Sequence, residues 1–285
     1  MAPREITVTL DLEDHRPDPR LPKRYDVMTE KLLEFFREQR IQATIFTVGK
    51  LAENDPDLVR RAAAAGHEIA LHSYDHTPIV KQTPKVFRDH TKRAKGILED
   101  VTGREIVGYR APIFSLTKDC LWAVEILREL GFLYSSSILP AASPLYGFPE
   151  LSSPAFLWSN GLLEIPAPVA RFGPFTLPYL GGFYFRYLPA ALIRKQIGKA
   201  AQDDCLWTYF HPYDFDPDER NPRIEGAAPW VSLLLWFNRG HTFRKLRTLV
   251  SGGQVTIARP FKEQIAEGAF DRITKTVDPA TFAQA

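Results

Sequence analysis

Short apolar strand patterns alternate with amphipathic helix patterns along most of this chain, and this alternation restricts its fold more than any other feature. Residues 6–12 place apolar side chains on one face and Thr7, Thr9 and Asp11 on the other, which is the period of a strand. Residues 27–39 follow with an apolar stripe at helical spacing. Strands that alternate with helices form a largely parallel sheet covered by those helices. The sequence therefore predicts an α/β fold.

The alternation continues without an internal repeat or a linker, which indicates one domain over residues 1–285. Further strands are predicted at residues 43–48, 67–71, 106–109, 132–136, 162–166 and 205–210, and further helices at 55–65, 83–101, 118–130 and 189–199. The segment 140–178 is rich in Pro, Gly and aromatic residues, and long loops of this kind are usually functional. The residues after about 262 are expected to form a loosely attached tail.

Composition excludes several classes of protein. The 285 residues are 45% hydrophobic and 25% charged, which is ordinary for a globular domain and unlike a disordered chain. The net charge of +2 gives no reason to expect nucleic acid as a partner. Two cysteines, Cys120 and Cys205, are too few for a disulfide framework and fit a reducing compartment. Because no secretion-signal pattern and no stretch near the ~18 apolar residues of a membrane span is visible, we expect a cytoplasmic protein.

Chemically reactive side chains lie where four of the predicted strands end. They are the carboxylates Asp11, Glu13 and Asp14, followed along the chain by His72, His76, Arg110 and His211. In a parallel barrel the carboxyl ends of the strands converge on one face, and that face carries the active site. We therefore expect all of these groups to meet at one rim of a barrel.

His72 and His76, four residues apart, are candidate metal ligands. Two neutral imidazoles and one carboxylate form a three-ligand set that leaves a position for water, as in catalytic zinc sites. Such a water becomes a hydrolytic nucleophile near neutral pH. Asp11 and Glu13 share one face of the strand, whereas Asp14 reaches that face only if the chain bends after the strand. The residues predict a metal-dependent hydrolase and leave the carboxylate ligand open.

Five ordered motifs add a resemblance to a known family. They are LDLEDH at residues 10–15, AGHEIA at 65–70, GYRAPIFS at 108–115, GGFYF at 181–185 and HP at 211–212. Over residues 6–261 the chain resembles the polysaccharide deacetylases of the NodB-homology type, carbohydrate esterase family four, and most of all their exosortase- and exopolysaccharide-associated branch. The resemblance implies an irregular (β/α)7 barrel that removes N-acetyl groups from aminosugars with one divalent metal ion, usually zinc.

The resemblance also implies which side chains hold the metal. Members of the family use two histidines and an aspartate, which implies His72, His76 and Asp14 as the ligands in this chain. Asp14 is preferred because aspartate fills that role in the family and because a strand end can bend. Glu13 is the alternative, either as the ligand or as the base.

Catalytic roles follow from the same resemblance. Asp11 is implied as the base and His211 as the acid that protonates the departing nitrogen, since the reference pKa of histidine lies near the working pH. Arg110 is implied as the partner that keeps Asp11 ionised. The chain departs from the family pattern at Ser135, where relatives commonly carry an aspartate that helps to orient the late histidine. Either Asp214 supplies that charge or His211 is a weaker acid than usual.

Four residues are expected to contact the saccharide. Tyr146 and Tyr184 belong to a group of aromatic residues on which sugar rings can stack, although core packing is the commoner fate of such side chains. Gly182 would let the backbone approach the substrate closely. Pro112 would make the turn after Arg110 rigid.

Together these expectations describe a metal-dependent N-deacetylase of an N-acetylated aminosugar in a bacterial exopolysaccharide or its lipid-linked precursor. Two alternatives stay open: an allantoinase-like cyclic-amide hydrolase, a class that tends to lack the full metal set, and a non-catalytic carbohydrate-binding protein. An apolar run at residues 229–237, followed by basic residues, is either a core helix with a solvated end or a peripheral contact with the inner face of the membrane or a lipid carrier.

Overall fold

The computed structural model describes residues 3–16, 20–151, 154–201, 203–219 and 236–282. Helices α1 to α9 span Tyr25–Gln39, Gly49–Asn54, Pro56–Ala64, Pro84–Thr102, Trp122–Glu129, Gly182–Tyr187, Ala190–Lys199, Thr242–Val250 and Phe261–Ala266. Strands β1 to β12 span Arg4–Ile6, Thr9–Leu12, Thr44–Thr47, Glu68–Leu71, Gly108–Tyr109, Tyr134–Ser135, Phe156–Trp158, Leu163–Glu164, Val169–Phe172, Phe175–Pro178, Val255–Ile257 and Thr276–Val277. Within these ranges no helix combines the length and the apolar character needed to span a membrane.

One mostly parallel sheet organises the molecule, with its strands in the order β12-β7-β8-β6-β5-β4-β3-β2. All neighbours in it are parallel except β7 and β8. The sheet continues past β2 to residues 207–210 through the parallel bridges Thr7↔Trp207 and Leu10↔Phe210. The six strands β2, β3, β4, β5, β6 and β8 and this seventh segment curve around a common interior. The expected irregular (β/α)7 barrel is confirmed.

The alternation of side chains along the strands divides the core into two clusters. In β3, Ile45 belongs to the larger cluster, which contains the apolar faces of helices such as α1 and α3. Its neighbour Phe46 points the other way, into a smaller cluster that includes Tyr134 and Trp207. The interior of the barrel is therefore packed largely with aromatic side chains.

Helix α4 illustrates how local sequence signals fix the elements around the barrel. The hydroxyl oxygen of Thr83 accepts a hydrogen bond from the N–H of Val86 at 3.3 Å, and Pro84 occupies the first helical turn. Gly103 ends the helix with φ near 65°, a left-handed conformation that favours glycine. Buried Phe87 and Ala94 then hold α4 against the rest of the structure.

The segment after residue 262 is not the loose tail that the sequence suggested. Strand β12 pairs in parallel with β7, with Thr276 opposite Leu157. Phe270 packs against the smaller core cluster, and the ring of Phe282 lies 4.9 Å from that of Phe148. The physical reason is that β7 would otherwise present an unpaired strand edge, which β12 covers. The expectation of a loose tail is wrong for the described residues up to 282.

Candidate active site at the carboxyl ends of the strands

The structure brings the predicted groups together at one end of the barrel. Glu13 and Asp11 lie at the end of β2, His72 directly follows β4, Arg110 directly follows β5, and His211 follows the segment 207–210. Parallel strands end on the same face, so side chains that are distant in sequence become neighbours there. The sequence prediction of one shared rim agrees with this placement.

Glu13, His72 and His76 form a cluster in which one potential ligand atom from each lies within 4.8 Å of the others. The Nε2 atom of His76 lies 2.5 Å from Oε2 of Glu13, and the rings of the two histidines are 5.1 Å apart. Ser73 and His76 both have φ near 63°, and the Ser73 hydroxyl oxygen accepts a hydrogen bond from the His76 N–H at 2.9 Å. This tight turn directs the His76 ring back over the end of β4.

The tautomer of His72 is set by its surroundings. Its Nδ1–H donates to the backbone oxygen of Arg110 at 3.0 Å, so that Nε2 is the nitrogen left for a ligand. Burial lowers the pKa of His72 to about 4, although the neighbouring Asp11 opposes this change. His72 is therefore neutral at physiological pH, which is the form that binds a metal.

Glu13 is buried and ionised. Burial alone would raise the pKa of its carboxyl, but His76, with His211 and His72 nearby, holds that pKa well below its usual range. Burial lowers the pKa of His76, and the contact with Glu13 outweighs this effect and raises it. The Glu13 carboxylate is therefore a negatively charged group beside the two histidines.

Asp14, the preferred ligand from the sequence, lies outside this cluster. Its side chain is turned outward and pairs with Arg16, whose Nη2 lies 2.6 Å from Oδ2 and whose Nε donates to Oδ1 at 2.8 Å. The strand-like alternation runs on for one more residue beyond β2, so that Asp11 and Glu13 are buried while Asp14 is exposed. The preference for Asp14 is corrected in favour of the alternative, Glu13.

Asp11 is held by a buried arginine. Nη1 of Arg110 donates to Oδ1 of Asp11 at 2.5 Å and to the hydroxyl oxygen of Thr9 at 2.8 Å. The guanidinium is fully buried between the rings of Phe46 and Trp207, with its carbon 3.8 Å and 4.2 Å from their centres. Cation–π contacts and a charge-assisted hydrogen bond offset the desolvation of this cation. Arg110 thereby fixes the position of the Asp11 carboxyl group at the end of β2.

The ring of His211 faces the carboxylates of both Asp11 and Glu13. Its Nε2 lies 3.8 Å from Oδ2 of Asp11 and 3.9 Å from Oε1 of Glu13. Its Nδ1–H donates to Oδ2 of Asp214 at 3.0 Å. Burial alone would lower the pKa of His211, but the hydrogen bond to Asp214 and the charges of Glu13 and Asp11 raise it to about 9. A protonated His211 can therefore donate a proton from Nε2.

Asp214 takes the place of the aspartate that the chain lacks at Ser135. Its carboxylate also accepts a hydrogen bond from the His211 backbone N–H at 2.9 Å and lies 3.1 Å from Nε of Arg186. The first of the two alternatives raised by Ser135 is thus the one that the geometry supports. Sequence reasoning named Asp214 but missed Arg186, and also missed Tyr213, whose ring stacks on His211 at 4.6 Å. Neither residue stands at a strand end, so no positional signal marked them.

The four residues expected to contact substrate have different positions. Pro112 is buried and opens a helical turn directly after Arg110 and Ala111. Gly182 opens α6, and its N–H donates to the backbone oxygen of Tyr209 at 2.7 Å. A Cβ on the preceding Gly181 would lie 1.9 Å from that oxygen, so the first glycine serves a close backbone contact.

The two tyrosines also occupy different parts of the structure. Tyr184 is half-buried on α6. It lies close enough to Tyr209 to add to the rise that burial causes in the pKa of that residue. Tyr146 is half-buried in the loop between β6 and β7, and among the described residues it makes no ring contact, ion pair or side-chain hydrogen bond with the Glu13–His72–His76 cluster. Saccharide contact by these four residues stays a prediction.

The donor set fits a divalent metal. Two imidazole nitrogens and one carboxylate oxygen, all convergent and two of them buried, match the ligand types of catalytic zinc sites. The Nδ1–H of His72 already donates a hydrogen bond to the backbone oxygen of Arg110, and metal-bound histidines usually have such a partner on the second ring nitrogen. Glu13, His72 and His76 would hold the ion, and Asp11 and His211 would face it.

Comparison with known families agrees with this geometry. Residues 4–134 match the family described as polysaccharide deacetylase, and residues 136–259 match a family described as a domain of unknown function (DUF3473). The peptidoglycan deacetylase-like protein FGM2 of Gibberella zeae is 30% identical over 142 residues, which cover 44% of this chain. The alignment covers 41% of that protein's own length.

Two solved structures extend the likeness over nearly the whole chain. A putative polysaccharide deacetylase from Mycobacterium smegmatis superposes with a TM-score of 0.66 at 20% identity, covering 97% of this chain and 93% of that one. Puue allantoinase superposes with a TM-score of 0.62 at 18% identity, covering 96% and 93%. At these identities the likeness shows a common fold and leaves the reaction open. Residues 4–134, a little under half of the chain, therefore match the polysaccharide deacetylase family, and the barrel fold is shared over nearly the whole chain.

Proposed function

We propose that this protein is a metal-dependent hydrolase that removes the N-acetyl group from an N-acetylated aminosugar. The observation that carries the proposal is the placement of a candidate base, Asp11, and a candidate acid, His211, beside one metal-type cluster. Nε2 of His211 lies 3.8 Å from the Asp11 carboxylate and 3.9 Å from that of Glu13. Amide hydrolysis needs a base for the water and an acid for the nitrogen, and both are present.

Each side chain has a defined task in this reaction. Glu13, His72 and His76 would hold a divalent ion, which would lower the pKa of a water molecule and polarise the acetyl carbonyl. Asp11, held in place by Arg110, accepts a proton from the attacking water. His211 donates the proton from Nε2 to the departing nitrogen. Each proton transfer contributes about 10²–10⁴-fold to the rate.

We further propose that the aminosugar belongs to a bacterial exopolysaccharide or its lipid-linked precursor, and that the reaction takes place in the cytoplasm, at the inner face of the membrane. The five motifs that resemble the exopolysaccharide-associated branch support the substrate class. The cysteines support the compartment, because Cys120 and Cys205 are both free thiols. The apolar run proposed for membrane contact falls mainly on residues 229–235, which lie outside the described residues.

The test is acetate release from an N-acetylglucosamine oligosaccharide by the purified protein. We expect release by the zinc-loaded protein, its loss after treatment with a chelator, and its return when zinc is added. The variant His72→Ala is expected to lose both zinc and turnover, while His241→Ala, which changes an exposed histidine, keeps both. Full turnover by the chelated protein or by H72A would overturn the mechanism.

The alternative hydrolase is separated by a second substrate. The complete donor set supports the deacetylase over an allantoinase-like enzyme, because the latter class was expected to lack it. Ring opening of allantoin by the metal-free protein, together with no release of acetate, would favour the cyclic-amide hydrolase. Saccharide binding with neither reaction would favour the non-catalytic alternative.

A further inference from the structure

Glu164 is a fully buried carboxylate that the proposed reaction does not use. It ends β8 and lies opposite Ser135 of β6. Its Oε1 accepts a hydrogen bond from the backbone N–H of Ser137 at 2.7 Å, and the indole N–H of Trp158 lies 3.4 Å from Oε2. Burial of a carboxyl group is unfavourable unless hydrogen bonds compensate for its loss of water. The partners of Glu164 therefore indicate what the group does.

Ser135, Ser136 and Ser137, here called the serine turn, connect Glu164 to Arg110. The backbone oxygen of Ser136 accepts a hydrogen bond from Nε of Arg110 at 3.3 Å, and its hydroxyl oxygen accepts one from Nη2 at 3.2 Å. The Ser135 hydroxyl donates to that of Ser137 at 2.8 Å.

The serine turn also holds the backbone next to Arg110. The hydroxyl oxygen of Ser137 accepts a hydrogen bond from the N–H of Ala111 at 2.9 Å. The turn therefore grips the side chain of Arg110 and the peptide that follows it. All three serines are fully buried, so solvent cannot replace these contacts.

Arg110 in turn orients two members of the site. Its Nη1 donates to Asp11 at 2.5 Å, which sets the position of the proposed base. Its backbone oxygen accepts the Nδ1–H of His72 at 3.0 Å, which sets the tautomer and aim of a proposed ligand. Hydrogen bonds thus connect Glu164 to the serine turn and the serine turn to Arg110. Arg110 in turn is hydrogen-bonded to the proposed base and to a proposed metal ligand.

We propose that Glu164 is a positioning residue that holds Arg110, and through it Asp11 and His72, in the arrangement required for metal binding and proton abstraction. This inference rests on the proposed function of the site.

The test compares Glu164→Ala and Glu164→Gln with Glu68→Ala as the matched control. Glu68 is also a buried carboxylate with three donors, Thr44, Tyr134 and the Lys262 N–H, but it lies at the opposite end of β4 from His72. Zinc affinity is measured by competition with a chelating dye, and kcat and KM are measured from acetate release. Thermal unfolding reports the general cost of each substitution.

Loss of a residue that orients a metal ligand lowers metal affinity by about 10–100-fold. We expect E164A to weaken zinc binding by about 10-fold or more and to lower kcat with little change in KM. E164Q should recover part of both, because its amide oxygen still accepts from Ser137. E68A should lose stability without these changes. Wild-type zinc affinity and kcat in E164A, or an equal loss in E68A, would overturn the proposal.

A second variant keeps the test decisive if E164A does not fold. Ser137→Ala removes the hydroxyl that accepts hydrogen bonds from Ala111 and Ser135, and it is expected to weaken zinc binding and lower kcat, as E164A does. Unchanged values in S137A would contradict the inference. Zinc affinity also separates the two proposals. If the wild type binds zinc but releases no acetate, the proposed function fails. The effect of E164A on zinc affinity, measured with the chelating dye, still tests the positioning role.

Discussion

At the scale of single residues, Glu13 and Asp14 are adjacent in sequence but differ in charge environment. Glu13 is buried among three histidines, whereas Asp14 is exposed and paired with Arg16. The alternation of strand side chains already placed Asp11 and Glu13 on one face, and the resemblance to relatives with an aspartate ligand led away from that reading. The local backbone, which stays extended for one residue after β2, decides between the two carboxylates.

This difference predicts unequal effects of two neutralising substitutions. Glu13→Gln removes the only carboxylate of the Glu13–His72–His76 cluster and should weaken zinc binding by about 10-fold or more. Asp14→Asn removes only the exposed ion pair with Arg16 and should leave zinc affinity unchanged, because exposed ion pairs contribute about 0–1 kcal/mol. Isothermal titration with zinc measures both. Equal affinities for the two variants would contradict the assignment.

Asp214 and Asp216 form a second informative pair. Asp214→Asn removes the charge that supports protonated His211 and is expected to lower kcat by about 10–100-fold. Zinc affinity should not change, since His211 is not a ligand. Asp216 is also buried but pairs with Arg24, away from His211, so Asp216→Asn serves as the control. An unchanged kcat in D214N would mean that His211 is not the acid.

At the scale of elements, strand ends were predictable because strands and catalytic residue types have strong local signatures. His72, Arg110 and His211 each follow a run of apolar residues, and parallel pairing makes such positions meet. The contacts of Arg186 with Asp214 and of Glu164 with the serine turn depend on how α6 and β8 pack across the barrel. Such contacts depend on tertiary packing, which no local pattern encodes.

His67, which directly precedes β4, makes the stability of the fold depend on pH. Its Nδ1 accepts a hydrogen bond from the N–H of Ala43 at 3.1 Å, and burial lowers its pKa to about 4. The unfolded value is 6.5, so the folded state favours neutral His67. Its contribution is full above pH 6.5 and is lost as the pH falls toward 4.

The expected loss is about 3 kcal/mol in the free energy of unfolding. Urea unfolding at pH 7 and pH 4.5 measures it, with His67→Gln as the reference because glutamine does not titrate. The wild type should lose more stability than H67Q between these two pH values. Parallel losses in both proteins would refute the role of His67.

At the scale of the whole molecule, the alternation of strands and helices was enough to predict an α/β fold, and the resemblance to a known family implied the barrel. Neither indicated how the barrel is completed. The terminal segment lacks a strong strand pattern, and Thr276 and Val277 become a strand only because β7 offers them a partner. Long-range pairing of this kind overrides weak local propensity. For the same reason the sequence suggested a loose tail where the structure has a packed one.

Removal of residues 268–285 should therefore destabilise the whole barrel. The loss of Phe270, Ile273 and Phe282 from their apolar contacts, with the uncovering of β7, is expected to cost about 2–4 kcal/mol. The midpoint of urea unfolding measures this cost. Phe175→Ala is the control, because that side chain is 66% exposed on β10 and should leave the midpoint unchanged. An unchanged midpoint in the truncated protein would restore the loose-tail interpretation.

Anomalous X-ray scattering from a zinc-soaked crystal would show directly whether Glu13 completes a metal site with His72 and His76. We expect one strong peak at the zinc edge, about 2.0–2.2 Å from Nε2 of His72, a ring nitrogen of His76 and a carboxylate oxygen of Glu13. The carboxylate of Asp11 and Nε2 of His211 should face that peak. A peak coordinated by Asp14, or no peak at these histidines, would contradict it.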